Sequence, residues 1–379
     1  MRLLCAFVGG YGHFQPLVPI ARAAAAAGHT VAFSGPPLML PAIEAAGFPG
    51  FPAGPDFDST GARKPLLPVD REREADDLRE GFARRAAPQR ADDLLPLCAA
   101  WRPDLILCDE LDFGAMIAAE RLGLPCATVL VGAAGTFVRP ENVGPALDES
   151  RAAYGLPADT PPGMGARQLV LNPFPPSFRD PRCPLPPTAR SFHTAPVPAG
   201  PRPHWHTEGR PTVYFTLGTI FNTESGDLFT RVLDGLAELP VTAVVTVGPL
   251  IDPAEFGPRP AHLHLARYLP QHEVLPHCDA VVTHAGSGSV LGALTHGLPQ
   301  VVIPMGADQP DNGDRVTALG LGHVFDPVTV TPADIHDAVT SVLEDDRYRR
   351  NTARLAAELA TQPPVSDTVS WLEGLLAAR

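Results

Sequence analysis

Residues 280–306 read AVVTHAGSGSVLGALTHGLPQVVIPMG. A short apolar run, 280–283, enters a turn of small residues, and a helix-length stretch follows with Val290, Leu291 and Leu294 at helical spacing. Gly297 stands where a helix C′ glycine belongs, Pro299 comes just after it, and a second apolar run closes the unit. Apolar runs this short, without polar alternation, predict parallel strands covered on both faces.

The same grammar recurs towards the N-terminus. Residues 3–35 (LLCAFVGGYGHFQPLVPIARAAAAAGHTVAFSG) and 104–132 (DLILCDELDFGAMIAAERLGLPCATVLVG) each run strand, turn, helix, glycine, strand. Leu17, Ile20, Ala21 and Ala24 keep helical spacing in the first, and Gly28 and Gly123 mark the helix ends. Two more strands are expected at 212–217 and 241–247. The fold class is therefore α/β, with βαβ units on parallel sheets. A proline-dense, aperiodic stretch separates the two halves. It predicts an N-terminal domain over 1–197, a linker over 198–211, a second domain over 212–362 and a capped C-terminal helix over 363–379. Residues 70–90 are so charged that a solvated helix or loop is expected there. Ligands of such sheets bind beyond the C-terminal ends of the strands, so a cleft between the domains is the expected site.

The 379 residues carry a net charge of −13 and show no basic stripe, which speaks against nucleic acid as a partner. The six cysteines form no CxxC, and most sit in apolar runs, as buried thiols do. The N-terminus lacks a signal-peptide pattern and no apolar run reaches membrane-spanning length, so a cytoplasmic location without a membrane span is expected.

Chemistry-bearing residues gather at the strand ends. In Gly9-Gly10-Tyr11-Gly12-His13 the glycines allow close backbone approach, and His13 stands at a helix start that favours a neutral imidazole base. A surface or capping histidine is the plainer alternative. Asp109 ends the strand DLILCD and could orient His13, or could simply cap the next helix; Asp112 competes for either role. His284, Gly286, Ser287, Gly288 and Ser289 form a turn at a helix start suited to an anion, against the alternative of an empty βα turn. Asp308 and Gln309 suit paired sugar hydroxyls, or are a polar loop. Tyr268, Leu269 and Gln271 surround a rigid turn where the aromatic ring could stack a base, or pack in a core. No metal site is expected: the 13 histidines show no HExxH or Cys–His spacing, and no DxD follows a strand.

Together these elements resemble the family 1 GT-B glycosyltransferases of bacterial natural-product pathways, most closely over residues 268–322 and again at GHFQPLVPIARAAAAAGHTVAF. The resemblance implies two Rossmann-like domains facing a cleft, with the C-terminal helix crossing back onto the first. It implies His13 as general base with Asp109 as its partner, and Gly12, Gly218, Thr219, Tyr268, Leu269, Gln271, His284, Gly286, Ser287, Gly288, Ser289, Asp308 and Gln309 on the donor side. Thr283 replaces a histidine frequent in bacterial members. Phe14, Phe57, Phe82 and Phe137 are the candidate acceptor contacts. The implied reaction is inverting and metal-free, with an NDP-sugar, dTDP-linked, as co-substrate and a hydroxyl of a hydrophobic aglycone as acceptor. A non-catalytic helper of another glycosyltransferase and a nucleotide-sugar epimerase are the alternative readings, and homodimerisation is left open.

Overall fold

In the computed structural model, which describes residues 1–56, 64–161, 163–196 and 200–377, the chain divides into two units. One holds Met1–Asp58, Glu72–Thr194 and Gln362–Arg379; the other holds Ser59–Arg71 and Ala195–Thr361. Phe57 lies outside the described residues.

The first unit is built on β1 (Arg2–Ala6), β2 (Thr30–Gly35), β3 (Gly50–Pro52), β4 (Leu105–Asp109), β5 (Cys126–Val129), β6 (Val170–Asn172) and β7 (Ala189–Ser191). All pairs are parallel, in the order β3-β2-β1-β4-β5-β6-β7. Chain order reverses between β1 and β4, the position where open α/β sheets leave a crevice. Side chains along β1 alternate between two cores. Leu3, Cys5 and Phe7 join Phe14 and Phe33, while Leu4, Ala6 and Val8 join Ile106 and Ala115. Every residue of β4 is buried, as a strand covered on both faces must be. The flanking helix Phe113–Leu122 ends on Gly123 at φ 64°, a left-handed cap that a side chain would strain. The C-terminal helix Asp367–Ala377 adds Val369 and Leu372 to the core that contains Val18 and Ile20.

The charged stretch 70–90 is helical, one of the two forms expected, but it is not solvated all round. It is helical from Arg71, passes through a π-helical stretch at Leu78–Ala86, and continues as an α-helix to Trp101. Leu78, Ala83 and Ala86 are buried, and Arg90 is wholly buried. Charge density misled here because the buried face is made of alanines and one leucine among many exposed arginines and glutamates.

The second unit repeats the plan with β8 (Thr212–Thr216), β9 (Thr242–Thr246), β10 (Leu263–Ala266), β11 (Ala280–Thr283), β12 (Gln300–Val302) and β13 (Gly322–Val324). The strands are parallel in the order β10-β9-β8-β11-β12-β13, so the reversal falls between β8 and β11. Val213, Phe215, Val245 and Val282 enter one core; Tyr214, Val244 and Val281 enter the other with Trp205. Trp205 comes from the proline-rich stretch before β8 and is buried there. Lys64 also packs with this unit, its backbone N–H donating to the Thr223 carbonyl at 2.8 Å. Among the described residues no helix is long and apolar enough to cross a membrane.

Candidate active site

In the first unit the switch point carries the imidazole. After β1 the chain makes a single helical turn, Tyr11–Phe14, and the next helix starts only at Val18. His13 therefore lies in the last turn of a very short helix, not at the head of a long one, and the helix-dipole argument for its state falls away. Pro16, which has no N–H to return to a preceding carbonyl, separates the two.

What organises His13 is Asp109 at the end of β4. The wholly buried carboxylate accepts from Val8 N at 2.9 Å through one oxygen, and from Leu111 N at 2.8 Å and His13 Nδ1 at 3.1 Å through the other. Two backbone N–H groups already point at this carboxylate, so the imidazole is its third donor. A neutral imidazole held this way carries its proton on Nδ1 and its lone pair on Nε2. Gly9, at φ 84°, allows the backbone to run against the ring: a Cβ there would stand 3.0 Å from Cδ2 and 3.2 Å from Nε2. Phe82 lies along the ring, with centroids 6.1 Å apart and planes 22° apart. The His13 side chain keeps 20% of its surface exposed.

Asp112 takes the other roles. It caps the helix Phe113–Leu122 by accepting from Ala115 N at 3.0 Å, and it pairs with Arg90, both side chains being fully buried. Burial pushes its pKa up and the guanidinium opposes this. Geometry thus gives His13 to Asp109.

In the second unit β11 delivers His284 to the switch point. The imidazole is buried, and burial pushes its pKa down to about 4, with a hydrogen bond to the Thr216 backbone acting in the opposite sense. It is a neutral hydrogen-bonding group at physiological pH. Its Nε2 edge lies against two glycines: a Cβ on Gly218, which sits at φ 73°, would stand 2.6 Å from Nε2, and a Cβ on Gly286 would stand 2.5 Å from it. Gly286 precedes the helix Ser287–Thr295, whose first amides have no carbonyl behind them within the helix. Ala285 at φ 62° and Ala307 at φ 51° hold left-handed conformations in the two flanking loops, each at a cost of about 1 kcal/mol or more.

These loops are joined through a residue that sequence reasoning missed. Asn312, fully buried, donates to the Ala285 carbonyl at 2.9 Å, to Ser287 Oγ at 3.1 Å and to Asp308 Oδ2 at 2.9 Å. Ser287 also hydrogen-bonds Asp308 directly. The available clue was the i, i+4 spacing from Asp308 on one helix. Gln309 is buried, and its side-chain oxygen accepts from Met305 N at 2.8 Å, so its carboxamide is partly committed to the loop. Gln271 donates to Ser289 Oγ at 3.2 Å, Leu269 packs on the core beside Trp205, and Tyr268 is 64% exposed. Gly12, Thr219 and Gly288 are exposed.

The acceptor candidates separate. Phe14 is a correction: it is 1% exposed and packs against Phe7 and Phe33 in the core, so it offers no surface to a ligand. Its place just after the glycine-rich turn suggested a ligand contact, whereas the one-turn helix Tyr11–Phe14 points it inward. Phe137 is partly buried against the other core, and Phe82 reaches His13. Among the scattered histidines, His204 lies 6.4 Å from His264 and His206 6.3 Å from His277 between ring centroids, and His277 also meets Trp205 at 6.0 Å. Among the described residues no group of three or more His, Cys, Asp or Glu could hold a metal ion.

Known proteins resemble the chain along nearly its whole length. Residues 22–180 match the N-terminal domain of the erythromycin biosynthesis protein CIII-like family, and residues 230–375 match its C-terminal domain. The chain is 30% identical to 4'-demethylrebeccamycin synthase of Lentzea aerocolonigenes over 99% of each chain. The glycosyltransferase SnogD from Streptomyces nogalater has the same fold with a TM-score of 0.80 and 27% identity, covering 99% of both chains. The Streptomyces sp. SF2575 glycosyltransferase SsfS6, solved with thymidine diphosphate, gives 0.77 and 26%, again over 99% of both. With two parallel Rossmann-like sheets, a histidine at each switch point and these matches across both halves, the chain belongs to the erythromycin biosynthesis protein CIII-like family of natural-product glycosyltransferases and is a hexosyltransferase of the GT-B fold.

Proposed function

We infer that the protein transfers a sugar from a dTDP-linked donor to a hydroxyl of a hydrophobic natural-product aglycone, with inversion and without a metal ion. The observation that carries this reading is the His13–Asp109 pair. With its proton on Nδ1, the imidazole has its basic lone pair on Nε2, the atom suited to take the proton of an attacking hydroxyl. Asp109 then stabilises the imidazolium, assistance worth about 10²–10⁴-fold in rate. The oxygen attacks the anomeric carbon as the bond to the nucleoside diphosphate breaks, which inverts that centre in a single displacement. The leaving diphosphate gathers negative charge. His284 and the first amides of helix Ser287–Thr295 supply N–H donors for it, chemistry that asks for no cation. Asp308, held by Asn312, is suited to a sugar hydroxyl, and exposed Tyr268 to the face of a base. Thymidine diphosphate in SsfS6 supports the choice of base.

Calorimetry with dTDP, UDP, GDP and ADP tests the donor half, and transfer from a dTDP-sugar to a panel of polyketide and aromatic aglycones, read by mass spectrometry, tests the whole. His13→Ala should abolish transfer while leaving dTDP binding nearly intact, and EDTA should change nothing. Unaltered turnover in His13→Ala removes the base, activity lost to EDTA removes the metal-free reading, and products epimerised without an acceptor point to the other chemistry.

A further inference from the structure

We propose that Phe82 is a positioning residue for His13, presented by a π-helical turn whose displaced carbonyl is held by Ser150. The inference rests on the reading of His13 as base and extends it to what aims the base.

In the π-helical stretch Leu78–Ala86 the backbone N–H of Ala87 donates to the carbonyl of Phe82, five residues back. An α-helix would have joined it to Ala83. That slip takes the Ala87 N–H from the Ala83 carbonyl, and Pro88, next in the register, has no N–H to offer it; the carbonyl accepts instead from Ser150 Oγ at 2.9 Å, a buried hydroxyl on the helix Pro140–Ala153. A buried carbonyl left unpaired would be costly, so Ser150 compensates for the wide turn where it occurs. The extra residue in each wide turn changes the phase of the helix, and the side chain at its centre is Phe82.

The geometry around the imidazole makes this more than packing. Asp109 fixes the Nδ1 end of the ring. Gly9 closes the Cδ2–Nε2 edge, and Phe82 lies along the plane at 6.1 Å and 22°, inside the range of favourable aromatic contact. The hydrogen bond, the glycine and the aromatic ring all restrict the orientation of the imidazole. When His13 takes up the acceptor's proton, the imidazolium lies against the Phe82 ring, an attraction of the cation–π type that favours the charged form. Phe82 thus helps both to aim Nε2 and to hold the proton it receives.

The test compares Phe82→Leu, Phe82→Tyr and Ser150→Ala with the intact chain. Readouts are kcat and KM for donor and acceptor, the pH profile of kcat/KM, and the ¹⁵N shifts of the His13 ring. Phe82→Leu should lower kcat about tenfold or more, since small misplacement of a reacting group is expensive. It should leave donor KM unchanged, move the acidic limb of the profile to lower pH and alter the His13 shifts. Phe82→Tyr, which keeps the ring, should restore most of kcat, and Ser150→Ala should shift the His13 resonances without touching the site. A Phe82→Leu effect confined to acceptor KM, with His13 shifts and pH profile unmoved, would overturn the proposal and make Phe82 a substrate contact. If His13→Ala retains turnover, the base assignment fails. The ¹⁵N shifts still report separately whether Phe82 holds the ring.

Discussion

A single methyl group at Gly286 should disable donor binding by pushing one imidazole aside. Gly286 has φ −60° and ψ 141°, a conformation open to alanine, so the backbone itself tolerates Gly286→Ala. The added Cβ would stand 2.5 Å from His284 Nε2 and 3.0 Å from Cε1. Ordinary contact between such atoms needs about 3.5 Å, so the ring must give by about 1 Å. That displacement forfeits a hydrogen bond to a charged diphosphate, worth about 1.5–3 kcal/mol, and dTDP affinity should fall about 10- to 100-fold. The assay is titration calorimetry in a double-mutant cycle with His284→Ala. Once the imidazole is gone the methyl meets nothing, so Gly286→Ala should cost less than about twofold in the His284→Ala background. Alanine in place of glycine at the helix cap also costs some stability, but equally in both backgrounds, and it cancels in the cycle. Equal losses in the two backgrounds, or none in either, would refute the reasoning that Nε2 is the group displaced.

Asp109→Asn sets an amide against three donors; whichever way it turns, its NH₂ faces Val8 N–H or His13, so transfer should fall about 10²–10⁴-fold with dTDP affinity unchanged, and wild-type turnover would refute the pairing. Asp112→Ala leaves the Arg90 guanidinium buried and uncompensated and should cost about 3–5 kcal/mol in urea unfolding, much of it recovered in a paired Arg90→Met, Asp112→Leu variant; a loss under about 1 kcal/mol would show that the pair contributes little. His284 is held neutral with a pKa of about 4 against about 6.5 in the unfolded chain, so the unfolded state binds the extra proton. Its contribution is present above pH 6.5 and is lost as pH falls towards 4, up to about 3 kcal/mol. In denaturant unfolding, wild type should lose about 2 kcal/mol relative to His284→Gln between pH 7 and 4.5, and parallel curves would contradict the buried, neutral ring.

Much of the architecture was legible because it depends on neighbours in the chain. The run 280–306 reads as strand, turn and helix from apolar spacing, Gly297 and Pro299 alone, and β11 and the helix Ser287–Thr295 lie there. The anion-suited turn and the histidine after each switch-point strand were visible for the same reason: a tight turn demands small residues within a few positions. Charge density over 70–90 and the turn-like setting of Phe14 misled, because burial is decided by which face meets another element, not by composition.

The pairings belong to the tertiary structure. Asp109 and Asp112 are three residues apart and look interchangeable on paper. The strand end directs one to His13, 96 residues away, and the next turn directs the other to buried Arg90. Gly218 and Gly286 make room for His284 from different strand ends, Asn312 ties two loops, and a phase slip in a charged helix brings Phe82 to the imidazole. Local propensity and periodicity reach only a few residues along the chain. Contacts across a sheet are selected by the packing of whole elements, and only the folded chain holds that information.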